Sequence, residues 1–113
     1  MDLKELKETC HKIAKEKGWW QDEERNFAEQ IALMHSELSE ALEEYRVWGL
    51  DDQYFIYTKD ESPKPEGIAV EFADLIIRLL DTCGAYGLPI ERAIEEKLEY
   101  NKTRKRRHGN KLC

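Results

Sequence analysis

The residues best placed to do chemistry are two acidic pairs, Glu37-Leu-Ser-Glu40 and Glu71-Phe-Ala-Asp74. A spacing of three puts both members of each pair on one face of a helix. At roughly 100° per residue, Glu37 falls beside the apolar residues of its segment and Glu40 lies further round. Glu71 flanks the arc of Phe72, Leu75, Ile76, Leu79 and Leu80, while Asp74 lies further round, near Arg78 and Asp81. Four carboxylates brought together repel one another and require a positive charge. An oxygen-only ligand set favours Mg²⁺, Ca²⁺ or Mn²⁺ over zinc, and Mg²⁺ usually keeps several waters and binds together with phosphates. Acidic pairs at this spacing are also common on solvated helix faces. Spacing alone therefore leaves two readings open, a metal-holding cluster and a plain charged surface.

Other groups carry weaker signals. Lys102, Arg104, Lys105, Arg106 and Arg107 form a basic run. It can contact phosphates, or simply sit at a solvated helix end where cations suit the macrodipole. Trp19, Trp20 and Trp48 flank the segment of the first acidic pair, where aromatics can cap a small core or a subunit contact. His35 and His108 lack partners at metal-ligand spacing. Cys10, Cys83 and Cys113 form no CxxC pair, which argues against structural zinc or a disulfide framework. They read as reduced thiols, consistent with a cytoplasmic protein.

Four helical segments must position the acidic pairs. The first is expected at about 2–17, where Leu3, Leu6, Cys10, Ile13 and Ala14 recur mostly at threes and fours before Gly18. The second is expected at about 23–47. There Phe27, Ile31, Met34, Leu38, Ala41 and Tyr45 form a seam suited to packing along another helix, and Gly49 breaks it. Residues 50–65, with two prolines, read as a loop long enough to have a task; Tyr54-Phe55-Ile56-Tyr57 within it could form a short strand or a helical turn. The third segment, about 66–86, is expected to be the most buried, closed by Gly84 and Gly87. Pro89 opens the fourth, which runs to about 105. The tail 106–113 is expected to be loose or to fold over the site.

The chain has 113 residues, enough for one domain spanning 1–113. Hydrophobic residues make up 41%, too many for disorder to be the default. The net charge of −6 disfavours general nucleic-acid binding. No apolar run approaches membrane-spanning length, and the charged start, Met-Asp-Leu-Lys-Glu, is unlike a signal peptide. The apolar breadth of the second and third segments exceeds what four short helices can bury, so a homo-oligomer is expected.

The string His35-Ser-Glu-Leu-Ser-Glu-Ala-Leu-Glu-Glu44, then Glu71-Phe-Ala-Asp-Leu-Ile-Ile77, then Tyr100-Asn-Lys-Thr-Arg and Arg107-His-Gly, resembles the MazG-like nucleotide pyrophosphohydrolases. The likeness extends over about 19–111. It implies an all-α four-helix bundle, assembled as a dimer or as a tetramer of dimers with sites at subunit contacts. It further implies Mg²⁺ (or Mn²⁺) held by Glu37, Glu40, Glu71 and Asp74, and hydrolysis of an NTP or dNTP to a monophosphate and pyrophosphate, as a house-cleaning activity. Glu37 or Glu40 would then orient the attacking water. Asn101 and Lys102 match the family's substrate-contacting positions, Lys102 and Arg104 could stabilise the departing pyrophosphate, and Trp20 or Trp48 could stack on the base. One position departs: Ser36 stands where some members carry a further glutamate. The competing expectations are a non-enzymatic helical protein-interaction module, and a helical scaffold with a nucleic-acid-binding tail. A di-iron bundle is disfavoured because the two Glu-x-x-His pairs it needs do not occur.

Overall fold

In a computed structural model, residues 2–21 and 26–104 are described. Helix α1 spans Leu3–Glu16, α2 Phe27–Trp48, α3 Ile68–Tyr86 and α4 Ile90–Thr103; a single 3₁₀ turn, Asp52–Tyr54, lies between α2 and α3. The described residues are all-helical apart from one antiparallel bridge between Tyr57 and Glu66. Among them no helix is long and apolar enough to cross a membrane.

Local chemistry explains the boundaries. Asp2 caps α1 by accepting from the Glu5 N–H at 2.8 Å, and Asn26 caps α2 by accepting from Glu29 at 2.7 Å, each satisfying an amide that the helix cannot. Gly87 ends α3 in the left-handed conformation. Gly84, expected to help terminate α3, instead lies inside it. A Cβ there would sit 2.8 Å from the Cβ of His11, so this glycine serves the close crossing of α1 over α3.

The segment between α2 and α3 is tied down rather than loose. Tyr57 and Glu66 exchange backbone hydrogen bonds of 2.9 and 2.7 Å. The Ala69 amide bonds to the Phe55 carbonyl at 3.1 Å, which satisfies a free donor in the first turn of α3. The run Tyr54–Tyr57 thus contributes both to the 3₁₀ turn and to the bridge.

Helix α3 is the centre of the molecule, packing against α1 on one side and α2 on the other. Leu80, Asp81, Thr82 and Cys83 are buried along it. The buried carboxylate of Asp81 accepts from His11 Nδ1 at 2.8 Å and from Trp20 Nε1 at 2.8 and 3.0 Å. These donors offset the desolvation of the charge and fasten both α1 and the turn after it to α3.

The second helix differs from expectation. The residues it buries are Gln30, Glu37 and Ala41, whereas Phe27, Ile31, Leu38 and Tyr45 of the expected seam remain 40–49% exposed. The buried face of α2 thus includes two polar residues, Gln30 and Glu37, beside Ala41 of the seam, and among the described residues Phe27 packs edge-on against Tyr86 while Ile31, Leu38 and Tyr45 stay largely exposed. The fourth helix also stands off. It buries none of its residues, and Lys7 of α1 bonds Glu91 at its base at 2.8 Å. The radius of gyration is 17.0 Å, against about 13 Å for a compact domain of this size. Within one chain, then, α4 does not close a four-helix bundle; three helices pack and the fourth projects.

Candidate metal centre

The acidic pairs meet where α2 crosses α3. Glu37 is buried on α2, only 6% exposed, while Glu71 and Asp74 are half-buried on α3. One oxygen from each of the three lies within 4.8 Å of the others. Glu40, one turn beyond Glu37, is exposed at the rim, close enough to raise the Glu71 and Asp74 carboxyls. All four residues singled out in the sequence thus border one site.

Its electrostatics are unfavourable without a cation. The Glu71 carboxyl is pushed up to about 7, first by burial, then by the neighbouring carboxyls of Glu40, Asp74 and Glu37. Asp74 is raised as well, by burial and by Glu37 and Glu40, with Arg78 and Lys64 opposing. Oε2 of Glu37 and Oε2 of Glu71 are buried with no hydrogen-bond partner among the described residues. Buried carboxylate oxygens are normally satisfied, so this pair of orphaned acceptors is the feature that calls for a ligand. The all-oxygen donor set of Glu37, Glu71 and Asp74, with two unpaired buried oxygens, suits a hard divalent cation.

One member was not singled out by the sequence as part of the site. Arg78 Nε donates to Glu37 Oε1 at 2.7 Å, an ion pair from α3 back to α2. Its position one turn after Asp74 was visible, but only the helix packing shows that it reaches the buried glutamate.

The remaining candidates lie elsewhere. Trp48 stacks on Tyr54, with ring centroids 3.7 Å apart, and donates to the Tyr57 hydroxyl at 3.3 Å. Tyr57 in turn donates to Glu44 at 2.8 Å. Glu44 is one turn past Glu40 on α2, so this aromatic group adjoins the acidic end of the site. Trp20 is engaged with Asp81 and packs edge-on against His11 and Tyr86. Lys102 bonds Glu99 within α4, and Arg104 lies over the Tyr100 ring. Asn101 is exposed on the same helix. Because α4 projects, the described contacts bring none of these three to the carboxylates. Cys10 and Cys83 are buried free thiols, both pushed up by burial, which suits packing rather than nucleophilic chemistry. His35 is exposed. His108, Cys113, Lys105 to Arg107 and the tail 106–113, expected to be loose or to fold over the site, lie outside the described residues. No family model matches the chain, and no curated protein or solved structure is significantly similar to it.

Proposed function

We propose that this chain is a Mg²⁺-dependent nucleotide pyrophosphohydrolase of the MazG-like kind, cleaving an NTP or dNTP to the monophosphate and pyrophosphate, with nucleotide-pool house-cleaning in the cytoplasm as its role. The observation that carries the reading is the convergence of Glu37, Glu71 and Asp74 with two buried oxygens left unpaired. A divalent cation bound there would neutralise phosphate oxygens and lower the pKa of a coordinated water.

The protein's own groups divide the remaining work. Glu37 is buried and committed to Arg78, so it suits holding rather than proton transfer. Glu40 is exposed and beside Glu71, which suits it to orient water and accept its proton. Trp48, tethered through Tyr57 to Glu44, offers an aromatic surface for a base. Trp20 is the weaker candidate, since its ring already serves the Asp81 network. Asn101, Lys102 and Arg104 would contact phosphates from the α4 of a neighbouring copy, in a homodimer or homotetramer.

The alternative, a non-enzymatic helical interaction module, draws on the exposed apolar residues of α2 and α3. The discriminating experiment is incubation of the protein with a panel of NTPs and dNTPs plus Mg²⁺, with product identification. A monophosphate and pyrophosphate are expected from at least one nucleotide. No turnover of any nucleotide rejects the hydrolase and favours the module.

A further inference from the structure

The two oxygens of Glu37 have different fates. Oε1 accepts a 2.7 Å hydrogen bond from Arg78 Nε; Oε2 is buried and unpartnered. The Glu37 side chain is 8% exposed, while that of Arg78, at the edge, is 30% exposed. Arg78 lies one turn beyond Asp74 and two turns beyond Glu71 on α3, on the same stripe of the helix. It therefore reaches the α2 carboxylate from the helix that carries the other two acids.

We propose that Arg78 is a positioning residue that clamps Glu37 through Oε1, so that Oε2 alone is offered to a divalent cation. The inference rests on the reading of the acidic cluster as a metal centre and goes beyond it by assigning a role to a residue outside the ligand set. An arginine suits this task because Nε–H sits in a rigid planar group and gives the bond a fixed direction, whereas a lysine ammonium can follow a moving carboxylate. A ligating carboxylate whose second oxygen is held in this way enters the metal site already oriented, and outer partners of this type tune metal affinity.

The clamp and simple electrostatics predict opposite outcomes. A guanidinium beside the cluster repels an incoming cation, so an arginine that merely balances charge while the metal is away would hinder binding. Its removal would then tighten Mn²⁺ affinity. If Arg78 positions Glu37, its removal weakens affinity despite the lost repulsion.

The test is Mn²⁺ binding to the full chain without nucleotide, read by electron paramagnetic resonance of free Mn²⁺ and by water-proton relaxation, with circular dichroism to confirm helicity. Arg78→Met and Arg78→Lys should each weaken binding by about tenfold or more. In a Glu37→Gln background, Arg78→Met should no longer weaken binding, since the clamp has lost its carboxylate. Arg78→Lys retains the charge and guards against failure of the methionine variant to fold. Unchanged or tighter Mn²⁺ binding in both arginine variants overturns the clamp while leaving the metal centre standing. An equal weakening in the Glu37→Gln background also overturns it, by showing a general disturbance of the α2–α3 packing. No Mn²⁺ binding by the wild type at millimolar concentration overturns the metal reading, and the clamp with it.

Discussion

Glu40 and Asp74 are the residues whose charge the proposed chemistry needs most directly, one at the rim and one within the cluster. Glu40→Gln and Asp74→Asn keep shape but remove charge, so each should lower nucleotide hydrolysis by about 100-fold or more, the scale of lost general-base or metal-ligand function. Helicity should be unchanged by circular dichroism. Full activity in either variant would reject the assignment. Glu71 makes a second prediction, about stability. Its carboxyl is raised from 4.5 to about 7 in the folded chain, so the folded state binds the proton more tightly than the unfolded state. Stability from this group is fully present below about pH 4.5 and is lost as pH rises through about 7. The metal-free protein should therefore lose urea stability across that window. Glu71→Gln should flatten the slope, and Mn²⁺ should oppose the loss above it by displacing the proton. An identical slope in wild type and Glu71→Gln would show that Glu71 is not the titrating group.

At the level of elements, the connection between α2 and α3 sets where the α3 acids begin. Gly67 has φ +120°, and a Cβ there would lie 2.3 Å from the Phe55 carbonyl oxygen. Both the backbone region and the contact exclude a side chain. Gly67→Ala should cost about 2 kcal/mol or more, measured by chemical denaturation. It should also loosen the Tyr57 bond to Glu44, visible as increased tyrosine and tryptophan accessibility to quenchers. A change below about 0.5 kcal/mol, the range of ordinary surface substitutions, would mean that the loop does not hold this geometry in solution.

For the whole molecule, the apolar surface is the clearest problem left to solve. Ile31, Leu38, Leu42 and Tyr45 on α2 and Phe72 and Ile76 on α3 are each 42–49% exposed, and α4 buries nothing. Contiguous apolar faces of this kind mark association surfaces. Analytical ultracentrifugation should report a dimer or tetramer. Leu38→Lys with Ile76→Lys should shift the population toward the 13.4 kDa monomer. A wild type that stays monomeric at high micromolar concentration would refute the assembly and remove the proposed route by which α4 residues reach a neighbour's carboxylates.

The amino-acid sequence by itself determined the helices, because apolar periodicity and the stops at Gly49 and Gly87 act over a few residues, although the second helix, read from about 23, starts at Phe27 behind the Asn26 cap. It also singled out Glu37, Glu40, Glu71 and Asp74, since three-residue spacing defines a common face wherever the helix goes. Only the tertiary structure decided which face of α2 meets α3. Periodicity favoured the apolar seam, yet of its residues α2 buries Ala41 alone, together with the polar Gln30 and Glu37. A sequence records that a stripe is apolar without recording whether its partner is another part of the same chain or a second molecule. The same limit hid the Arg78–Glu37 pair, the Asp81 network with His11 and Trp20, the packing role of Gly84 and the projection of α4. Each depends on residues far apart in the chain arriving at one place, and that arrival is set by the summed packing of whole helices, not by any local spacing.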